Sequence, residues 1–565
     1  MNASYSDLES VRLLVDLLER RGVRHVVLSP GSRNAPLLVS VARSPILTHH
    51  VVADERAAAF FALGMARQSG NIAAMVSTSG TAVLNYAPAV AEAYYQGIPL
   101  LVISADRPPE QIDQDDNQTI RQHGALAHFV KGSFPLPADV AHDAGRRYVN
   151  RLINEAINLA REGRPGPVHL NLPLREPLYG FGSPPPERQR VIAAAATETL
   201  LTEETLFALR KRFAETQKVM IVAGFHPPDE ELREAVRQAA AFGNVAVLAE
   251  TLSNLKIENT VTPIDRTLAC LSPEELPACA PDLLITFGGA PVSRRIRALI
   301  AENPPQEHWH IDRRSLPPDT YRRLSLHVNM QPAAFLRQLC DGSPSAETGY
   351  AALWREKQQR ACIRQRECMK QAAWSDLKAF SLLLPAIPED CLLHLGNSTP
   401  VRYAQLFAGT RAVRTDGNRG VSGIEGAVST AAGAAAVSDK TVALVTGDLS
   451  LLYDSNALWA CPASPRLKII VMLNGGGGIF RLLPGASTLE ETGELLETPH
   501  GVDVRQLAQL HRFELFSATD AASLQAALET FFLPASRPAM LVIDTAQCAN
   551  GEILKRYFES LKINV

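Results

Sequence analysis

Two short apolar runs in the C-terminal third of the chain are each followed closely by a side chain that offers oxygen atoms. The run 441–446 (TVALVT) precedes Gly447 and Asp448, and the run 467–473 (LKIIVML) precedes Asn474 and a stretch of glycines. Such runs are typical of buried parallel strands, and parallel neighbours joined by a right-handed crossover end at the same edge of a sheet. Asp448 and Asn474 are therefore predicted to face one crevice at that edge, where open α/β sheets bind ligands.

These residue types suit a divalent metal held together with a diphosphate. Mg²⁺ prefers an octahedron of oxygen ligands at roughly 2.0–2.1 Å and takes few of them from protein when phosphates supply the rest. Asp448 offers a carboxylate, Asn474 an amide oxygen, and Gly476 a carbonyl that can turn inward because glycine tolerates positive φ. The alternative is an ordinary pair of turn residues beside a flexible glycine loop. The predicted metal and diphosphate contacts are Gly447, Asp448, Leu449, Ser450, Asn474 and Gly476, and segment 453–461 is predicted to be the crossover helix.

Length and composition place the chain among globular proteins. Its 565 residues are 46% hydrophobic and 20% charged, with a formal net charge of −3. The length predicts about three domains, and the balanced charge gives no reason to expect a nucleic-acid partner. No run approaches the roughly 20 apolar residues of a membrane span, and the first residues lack a signal pattern. Eight scattered cysteines without metal-like spacing predict reduced thiols in a cytoplasmic protein.

Two polar, proline-bearing seams, 180–190 and 341–349, divide the chain. Clusters of this composition mark linkers, so we predict domains at about 1–183, 191–340 and 350–565. Within each, short Val/Ile/Leu runs alternate with helical stretches, which is typical of an α/β fold with parallel sheets covered by helices. No G-x-G-x-x-G fingerprint follows a strand of the middle segment, so no nucleotide is expected there.

The first segment carries polar residues at the ends of its predicted strands. Ser32 and Arg33 stand at a predicted helix start, where free backbone N–H groups favour anions. Glu55 follows the strand 50–53 and leads into the apolar helix 57–66, which would partly desolvate its carboxyl group. The alternative for Glu55 is an ordinary first-turn acid stabilised by the helix dipole. The other polar positions of interest here are Ser79, Gly80, Arg107 and Gln118.

Longer runs resemble a known enzyme family, the 2-succinyl-5-enolpyruvyl-6-hydroxy-3-cyclohexene-1-carboxylate synthases, which are thiamine-diphosphate enzymes of menaquinone biosynthesis. In this family's general diphosphate signature the usual third residue is Gly and the usual ending is Asn-Asn, whereas this chain has Leu449 and Gly475. The resemblance is dense in the first and third segments and thin in the middle one. It rests on SPGSRNAPL (29–37), DERAAAFFALG (54–64), TSGTA (78–82), ADRPPE (105–110), NQTIRQ (117–122), LGNSTPVR (395–402), NRGVSGIEG (418–426), GDLSLLYDSNAL (447–458) and GIFRLLP (478–484).

The resemblance implies a fold, a cofactor and a reaction. It implies a thiamine-diphosphate-binding fold twice, for the pyrimidine in the first domain and for the diphosphate and metal in the third, with a Rossmann-like middle domain. It implies thiamine diphosphate with Mg²⁺ or Mn²⁺, decarboxylation of 2-oxoglutarate, and addition of the resulting succinyl carbanion to isochorismate. Glu55 is implied to be the catalytic group, hydrogen-bonded to the aminopyrimidine ring of the cofactor.

The resemblance also implies further site residues. Ile424 would be the apolar wedge beneath the bent cofactor, with a core isoleucine as the alternative, and the family usually has Lys in place of Arg294. Arginine binds carboxylates bidentately, and each proposed substrate carries two carboxylates. Ser79, Gly80, Ser398 and Ile479 are the other implied cofactor contacts. The implied substrate contacts are Ser32, Arg33, Arg107, Gln118, Arg294, Arg295, Ser398, Arg402, Arg419, Ile479, Phe480 and Leu483.

The family builds its active site between two chains, so the resemblance implies a homodimer or homotetramer in which the first domain of one chain faces the third domain of another. Two other functions stay open. Another thiamine-diphosphate carboligase or decarboxylase, of the acetohydroxyacid synthase type, would use the same clamp and glutamate. A non-catalytic relative would keep only the fold. The arginine set and the SPGSRN run favour the synthase over the first alternative, and the intact Glu55, Asp448 and Asn474 favour it over the second.

Overall fold

A computed structural model describes residues 4–184, 187–342, 348–407, 410–482 and 485–562. Three sheets of six strands each follow one another along the chain, and every strand pairing within them is parallel. Each sheet is formed from a single predicted segment, so the α/β fold expected from the alternating pattern is confirmed. Parts of both predicted seams, 185–186 and 343–347, lie outside the described residues.

The first sheet has the strand order β2-β1-β3-β4-β6-β5. Its strands are β1 (His25–Leu28), β2 (Thr48–Val51), β3 (Ala73–Ser77), β4 (Leu100–Asp106), β5 (Ser133–Pro135) and β6 (Val168–Pro173). Its helices are α1 (Glu9–Arg20), α2 (Ala35–Arg43), α3 (Glu55–Ser69), α4 (Ala82–Asn85), α5 (Ala87–Gln96) and α6 (Asp143–Arg161). The central strands β3 and β4 are buried along their whole length, since helices cover both faces.

The middle sheet has the strand order β12-β11-β10-β7-β8-β9. Its strands are β7 (Val219–Ala223), β8 (Val245–Ala249), β9 (Thr260–Val261), β10 (Leu283–Phe287), β11 (Glu307–Ile311) and β12 (Leu324–Val328). Its helices are α7 (Glu203–Glu215), α8 (Glu230–Ala239), α9 (Ile264–Ala269), α10 (Leu276–Cys279), α11 (Arg294–Glu302) and α12 (Pro332–Cys340). The apolar runs 218–223, 245–249 and 282–287 predict β7, β8 and β10, which are buried throughout, as is the two-residue β9.

The third sheet has the strand order β14-β13-β15-β16-β18-β17. Its strands are β13 (Leu392–Leu395), β14 (Arg414–Asp416), β15 (Val442–Gly447), β16 (Leu467–Leu473), β17 (Glu514–Ala518) and β18 (Ala539–Asp544). Its helices are α13 (Tyr350–Gln371), α14 (Asp376–Ala386), α15 (Thr399–Ala404), α16 (Ala427–Val437), α17 (Asp448–Tyr453), α18 (Ala457–Ala460), α19 (Val504–Leu510), α20 (Ala521–Phe531) and α21 (Asn550–Ser560). Short 3-10 turns and one π turn occupy Pro109–Gln111, Ala127–Phe129, Thr251–Ser253, Gly478–Leu482, Ala486–Thr488 and Thr492–Leu496.

The crossover between β15 and β16 differs from the sequence prediction. Instead of one helix over 453–461, the helix α17 begins at Asp448 itself and ends at Tyr453, and α18 follows separately. The carboxylate of Asp454 accepts hydrogen bonds from the backbone N–H and the hydroxyl of Ser429, at 2.7 and 2.8 Å. These bonds hold the chain against α16 at the point where a continuous helix would have passed.

The first and third domains share one hydrophobic core because α3 packs directly on α16. A Cβ atom at Gly64 would lie 2.0 Å from the carbonyl oxygen of Thr430, and one at Gly433 would lie 2.0 Å from that of Phe61. The two helix backbones are therefore in contact, with no room for side chains between them. This contact connects the helix that begins at Glu55 to the sheet that carries Asp448 and Asn474.

Helix α13 connects the middle and third domains. Its first turns place Tyr350 and Trp354 in the middle domain's core, whereas Ala361 belongs to the core of the third. Across the described ranges of the chain, no helix combines the length and the apolar character that crossing a bilayer requires.

Candidate active site

The carboxylate of Asp448 is fixed between the ends of two parallel strands. Residues 442–447 of β15 pair with 467–472 of β16, so both strands end at one edge. The Oδ2 atom of Asp448 accepts hydrogen bonds from the backbone N–H groups of Asn474 and Gly475, at 3.1 and 2.8 Å. Asp448 is 1% exposed, and burial raises the pKa of its carboxyl group. A buried carboxylate of this kind is stabilised by a cation.

The amide of Asn474 has one satisfied end and one free end. Its Nδ2 donates to Oδ2 of Asp376 at 2.9 Å, while its Oδ1 is buried without any hydrogen-bond partner among the described residues. Gly476 has φ of 140°, and a Cβ there would lie 2.4 Å from the carbonyl oxygen of Glu497. An orphaned amide oxygen beside a buried carboxylate is a donor set that fits Mg²⁺.

Glu55 occupies the first position of α3. The preceding Asp54 caps the helix by accepting from the N–H of Ala57 at 2.9 Å, which leaves the Glu55 carboxyl free of that task. Burial raises the pKa of Glu55, and burial together with the charge of Glu55 raises the pKa of Tyr86. A half-buried carboxyl group with a raised pKa can share a proton with a ring nitrogen.

Three of the predicted first-domain residues lie near one another. The guanidinium of Arg33 donates to the carbonyl oxygen of Leu174 at 2.9 Å and to Oε1 of Glu176 at 3.1 Å. Arg107 lies 3.8 Å from the same Glu176 oxygen, and Ser32 is the exposed neighbour of Arg33. These cations are therefore grouped at the carboxyl ends of the first sheet.

The small turn after β3 is tightly packed. Gly80 has φ of 80° and donates its N–H to Oε1 of Gln122 at 2.8 Å. A Cβ at Gly80 would lie 3.3 Å from Cα of Gln118, so the loop carrying exposed Gln118 rests on this turn. The hydroxyl of Ser79 is buried without a hydrogen-bond partner in the part of the chain that the structure describes. The turn thus presents backbone and a free hydroxyl to its surroundings.

A cavity of about 1070 Å³ lies between the middle and third domains. It contains Arg294 and Arg295 from the start of α11 and Arg402 from α15, together with Ile479. Burial, with Arg294 and Arg419 nearby, lowers the pKa of Arg402. Its described lining includes no residue of the first domain, and its other charged members are Asp265, Arg481, Glu552, Lys555, Glu559 and Lys562.

Arg419 lies apart from that cavity. It lines a second cavity of about 320 Å³, and its NH1 donates to Oδ1 of Asn397 at 2.8 Å. Asn397 in turn donates to the carbonyl oxygens of Asn418 and Gly423, at 2.7 and 2.6 Å. Within one chain, the arginines implied as substrate contacts therefore fall into separate groups, with Arg33 and Arg107 in the first domain and Arg294, Arg295 and Arg402 at the larger cavity.

Several of the other implied contact residues are held in place by the backbone around them. Ser450 donates its hydroxyl to the carbonyl oxygen of Ile424 at 2.5 Å, which ties the Ile424 loop to the start of α17. Ser398 has φ of 73° at the start of α15, and the ring of Phe480 packs against Gly477. Leu483 lies outside the described residues.

Comparison with known proteins identifies the N-terminal and the C-terminal part of the chain. Residues 9–126 match the thiamine pyrophosphate enzyme N-terminal TPP binding domain, and residues 396–544 match the corresponding C-terminal TPP binding domain. The chain is 45% identical to the 2-succinyl-5-enolpyruvyl-6-hydroxy-3-cyclohexene-1-carboxylate synthase of Porphyromonas gingivalis, over 99% of this chain and 98% of that protein. This chain belongs to that synthase family. The synthases of Flavobacterium psychrophilum and Bacteroides thetaiotaomicron are 37% and 36% identical, each over 99% of this chain and 100% of the relative.

Membership of the synthase family makes this chain a thiamine-diphosphate-dependent enzyme, and the predicted fold class and the prediction of thiamine diphosphate are confirmed. Sequence reasoning missed several residues that shape the site. Asp376 holds Asn474, Phe558 stacks on Arg295, and His500 lies 3.4 Å from Asp448. None of these has a local sequence signature, because each acts through a partner distant in the chain.

Proposed function

We propose that this protein decarboxylates 2-oxoglutarate and joins the remaining four-carbon unit to isochorismate, giving 2-succinyl-5-enolpyruvyl-6-hydroxy-3-cyclohexene-1-carboxylate and CO₂ in menaquinone biosynthesis. The observation that carries the proposal is the cavity containing Arg294, Arg295 and Arg402. Guanidinium groups bind carboxylates through paired hydrogen bonds, and both substrates are dicarboxylates. An enzyme acting on pyruvate alone would need fewer cations.

In this proposal Glu55 is the catalytic acid–base group. Bound thiamine diphosphate supplies the electron sink for decarboxylation. Glu55 holds a proton at the pyrimidine ring nitrogen, a role supported by the raised pKa of its carboxyl group. Its place at the start of α3 keeps that carboxyl group at the boundary between apolar helix and open site.

The metal site proposed here uses Asp448, Asn474 and the carbonyl of Gly476 to hold Mg²⁺ or Mn²⁺. The free Oδ1 of Asn474 supports it, since a buried amide oxygen is costly without a partner. The diphosphate would lie along the glycine-bearing backbone of the clamp. The proposed cofactor contacts are Glu55, Ser79, Gly80, Ser398, Ile424, Gly447, Asp448, Leu449, Ser450, Asn474, Gly476 and Ile479.

The substrate site is proposed to form between two copies of the chain. The cations grouped near Glu176 in the first domain lie away from the arginines of the cavity between the middle and third domains. A second copy of the chain could bring these two groups of cations together. Exposed aromatic side chains on α5, at Tyr94 and Tyr95, offer apolar surface for such a homo-oligomer. The proposed substrate contacts are Ser32, Arg33, Arg107, Gln118, Arg294, Arg295, Ser398, Arg402, Arg419, Ile479, Phe480 and Leu483.

Each sheet corresponds to one proposed domain. Residues 1–183 hold the pyrimidine of the cofactor, residues 350–565 hold the diphosphate, and residues 191–340 form a central domain.

We also propose a cytoplasmic location. All eight cysteines are free, and five of them are buried in apolar surroundings, at positions 270, 279, 340, 391 and 461. Free thiols persist in a reducing compartment.

The decisive experiment follows CO₂ release and isochorismate loss together. Purified protein with thiamine diphosphate and Mg²⁺ should release CO₂ from 2-oxoglutarate and consume isochorismate in equal amounts. Pyruvate should replace 2-oxoglutarate poorly. Preferential use of pyruvate would instead identify a carboligase of the acetohydroxyacid synthase type, and protein that binds no thiamine diphosphate would be a non-catalytic relative.

A further inference from the structure

Asp376, in its ionised form, fixes the orientation of the amide of the proposed metal ligand Asn474. The Oδ2 atom of Asp376 lies 2.9 Å from its amide nitrogen, and a carboxylate oxygen can only accept a hydrogen bond. The nitrogen must therefore face Asp376, because a rotated amide would place its oxygen against the carboxylate. The amide oxygen is left pointing away from Asp376, buried and without a partner among the described residues.

Asp376 is itself held from several sides. Its Oδ1 accepts from the hydroxyl of Thr545 at 2.5 Å, and its backbone N–H donates to Oδ1 of Asn550 at 2.8 Å. Asn550 also donates to the carbonyl oxygen of Thr545 at 3.2 Å. Asp376 is 1% exposed, so water does not compete for its carboxylate. The start of α14 and the end of β18 thus form a rigid support behind Asn474.

We propose that Asp376 is the positioning residue of the metal site, setting the amide of Asn474 so that its oxygen faces the cation. The proposal rests on the metal site proposed above and adds to it a residue from a different part of the third domain. Partners behind a metal ligand fix its orientation, and their loss typically costs 10–100-fold in metal affinity. Asp376 does not touch the metal in this arrangement.

A double-mutant cycle tests this role. The hydroxyl of Thr545 accepts from Nδ2 of Asn550 at 3.3 Å and donates its own hydrogen toward position 376, so in Asp376→Asn the new amide keeps its oxygen toward Thr545 and turns its NH₂ group toward the NH₂ group of Asn474. That donor–donor contact forces the Asn474 amide to rotate and withdraw its oxygen. In the Asn474→Asp background, Asp376→Asn is favourable because the new NH₂ group donates to the carboxylate at position 474. The substitution also removes the repulsion between two facing carboxylates. The sign of the effect should therefore reverse between the two backgrounds.

The measurement is Mn²⁺ binding in the presence of thiamine diphosphate, followed by the loss of the electron paramagnetic resonance signal of free Mn²⁺. We expect Asp376→Asn to weaken Mn²⁺ binding by roughly 10–100-fold in the native background and to strengthen it in the Asn474→Asp background. A mere loss of negative charge would weaken binding in both backgrounds, and that outcome would overturn the proposal. So would unchanged affinity in Asp376→Asn.

Two controls keep the result interpretable. Asp16→Asn removes another buried aspartate, one that accepts from the N–H of Gln189 in the first domain, and should leave Mn²⁺ affinity unchanged. If Asp376→Asn does not fold, Thr545→Val removes the hydroxyl that holds Oδ1 of Asp376 and should weaken Mn²⁺ binding, whereas unchanged binding there counts against the proposal. Failure of the wild-type protein to bind Mn²⁺ would refute the metal site itself. Normal Mn²⁺ binding that does not depend on Asp376 would refute only the positioning role.

Discussion

The guanidinium of Arg295 lies over the ring of Phe558, with its central carbon 4.5 Å from the ring centre. Arg295 comes from the middle domain and Phe558 from the last helix, so this contact joins two domains at the wall of the larger cavity. Cation–π contacts contribute roughly 0.5–2 kcal/mol, depending on how far they are desolvated. The contact orients the guanidinium of Arg295, one of the proposed substrate contacts, through its flat face.

Replacing Phe558 should therefore affect substrate binding more than folding. We expect Phe558→Leu to raise the KM for the carboxylate substrates by roughly 3–30-fold, from the free energy of a cation–π contact, and to leave thiamine diphosphate affinity unchanged. Phe558→Tyr should retain wild-type KM because it keeps an aromatic face. Phe532→Leu, a partly buried phenylalanine in the same core, is the matched control and should not change KM. Equal effects of the two leucine variants would refute the orienting role.

Arg402 should be required for substrate but not for cofactor. Its Nε is buried without a hydrogen-bond partner in the described structure, so the guanidinium is available to a carboxylate. We expect Arg402→Ala to lower kcat/KM by roughly 10–100-fold, the worth of a hydrogen bond to a charged group. Thiamine diphosphate binding, measured by calorimetry, should not change. Arg411→Ala, an exposed arginine paired with Glu389, serves as the control. Loss of cofactor from the Arg402 variant would contradict its placement in the substrate cavity.

Glu250 holds the start of α11 and should make stability depend on pH. Its oxygens accept from the N–H groups of Val292 and Ser293, at 2.8 and 2.7 Å, and burial raises its pKa to about 7. The folded state then binds this proton more tightly than the unfolded state, so the stability contributed by the protonated group is lost as pH rises from about 4.5 to about 7.

The Glu250→Gln variant removes this titration. Urea unfolding at pH 5 and pH 8 should show wild-type stability falling, relative to Glu250→Gln, by on the order of 2–3 kcal/mol between the two values. Asp265 and Arg419 are the charged neighbours that influence Glu250, and both are present in wild type and variant alike. Glu302→Gln, a change at an exposed site on α11, should have the same unfolding free energy as wild type at pH 5 and at pH 8. If the unfolding free energies of wild type and Glu250→Gln differ by the same amount at pH 5 and pH 8, Glu250 does not titrate between these pH values.

The contact between α3 and α16 should tolerate no added side chain. Gly433→Ala places a methyl group 2.0 Å from the carbonyl oxygen of Phe61, so the helices must separate. We expect a loss of about 1–3 kcal/mol in unfolding free energy, the usual cost of overpacking a core. Gly493→Ala, where a Cβ meets nothing within 4 Å, is the matched control and should be neutral. Thermal unfolding that leaves both variants equal to wild type would mean that the helices are not in contact.

Glu55→Gln should abolish catalysis while leaving the protein loaded with cofactor. The amide cannot take part in proton sharing with the pyrimidine ring, so we expect turnover to fall by roughly 10²–10⁴-fold. Glu9→Gln makes the same chemical change at the first position of α1 and should have wild-type turnover. Steady-state assays with both substrates measure the turnover of the two variants. Near-normal turnover in Glu55→Gln would remove this residue from the mechanism.

Much of the architecture was predictable because buried parallel strands have a simple signature. The apolar runs at β8 and β16 matched the structure residue for residue, and β15 was displaced by a single position. The short edge strands β9 and β14 were missed, since two or three residues are too few to show a periodic pattern. Helix α17 was misplaced because Asp454 binds Ser429, a residue of the preceding helix that local propensity does not consider.

The sequence alone determined which side chains end the strands β15 and β16, and hence that Asp448 and Asn474 would meet, because the strand order of a parallel sheet brings carboxyl ends to one edge. Only the tertiary structure decided which way those side chains point and what supports them. Asp376 is 98 residues from Asn474, and Phe558 is far along the chain from Arg295. Such pairs form when separate elements pack together, and the free energy that joins them comes from burial and hydrogen bonding between surfaces that no local pattern encodes.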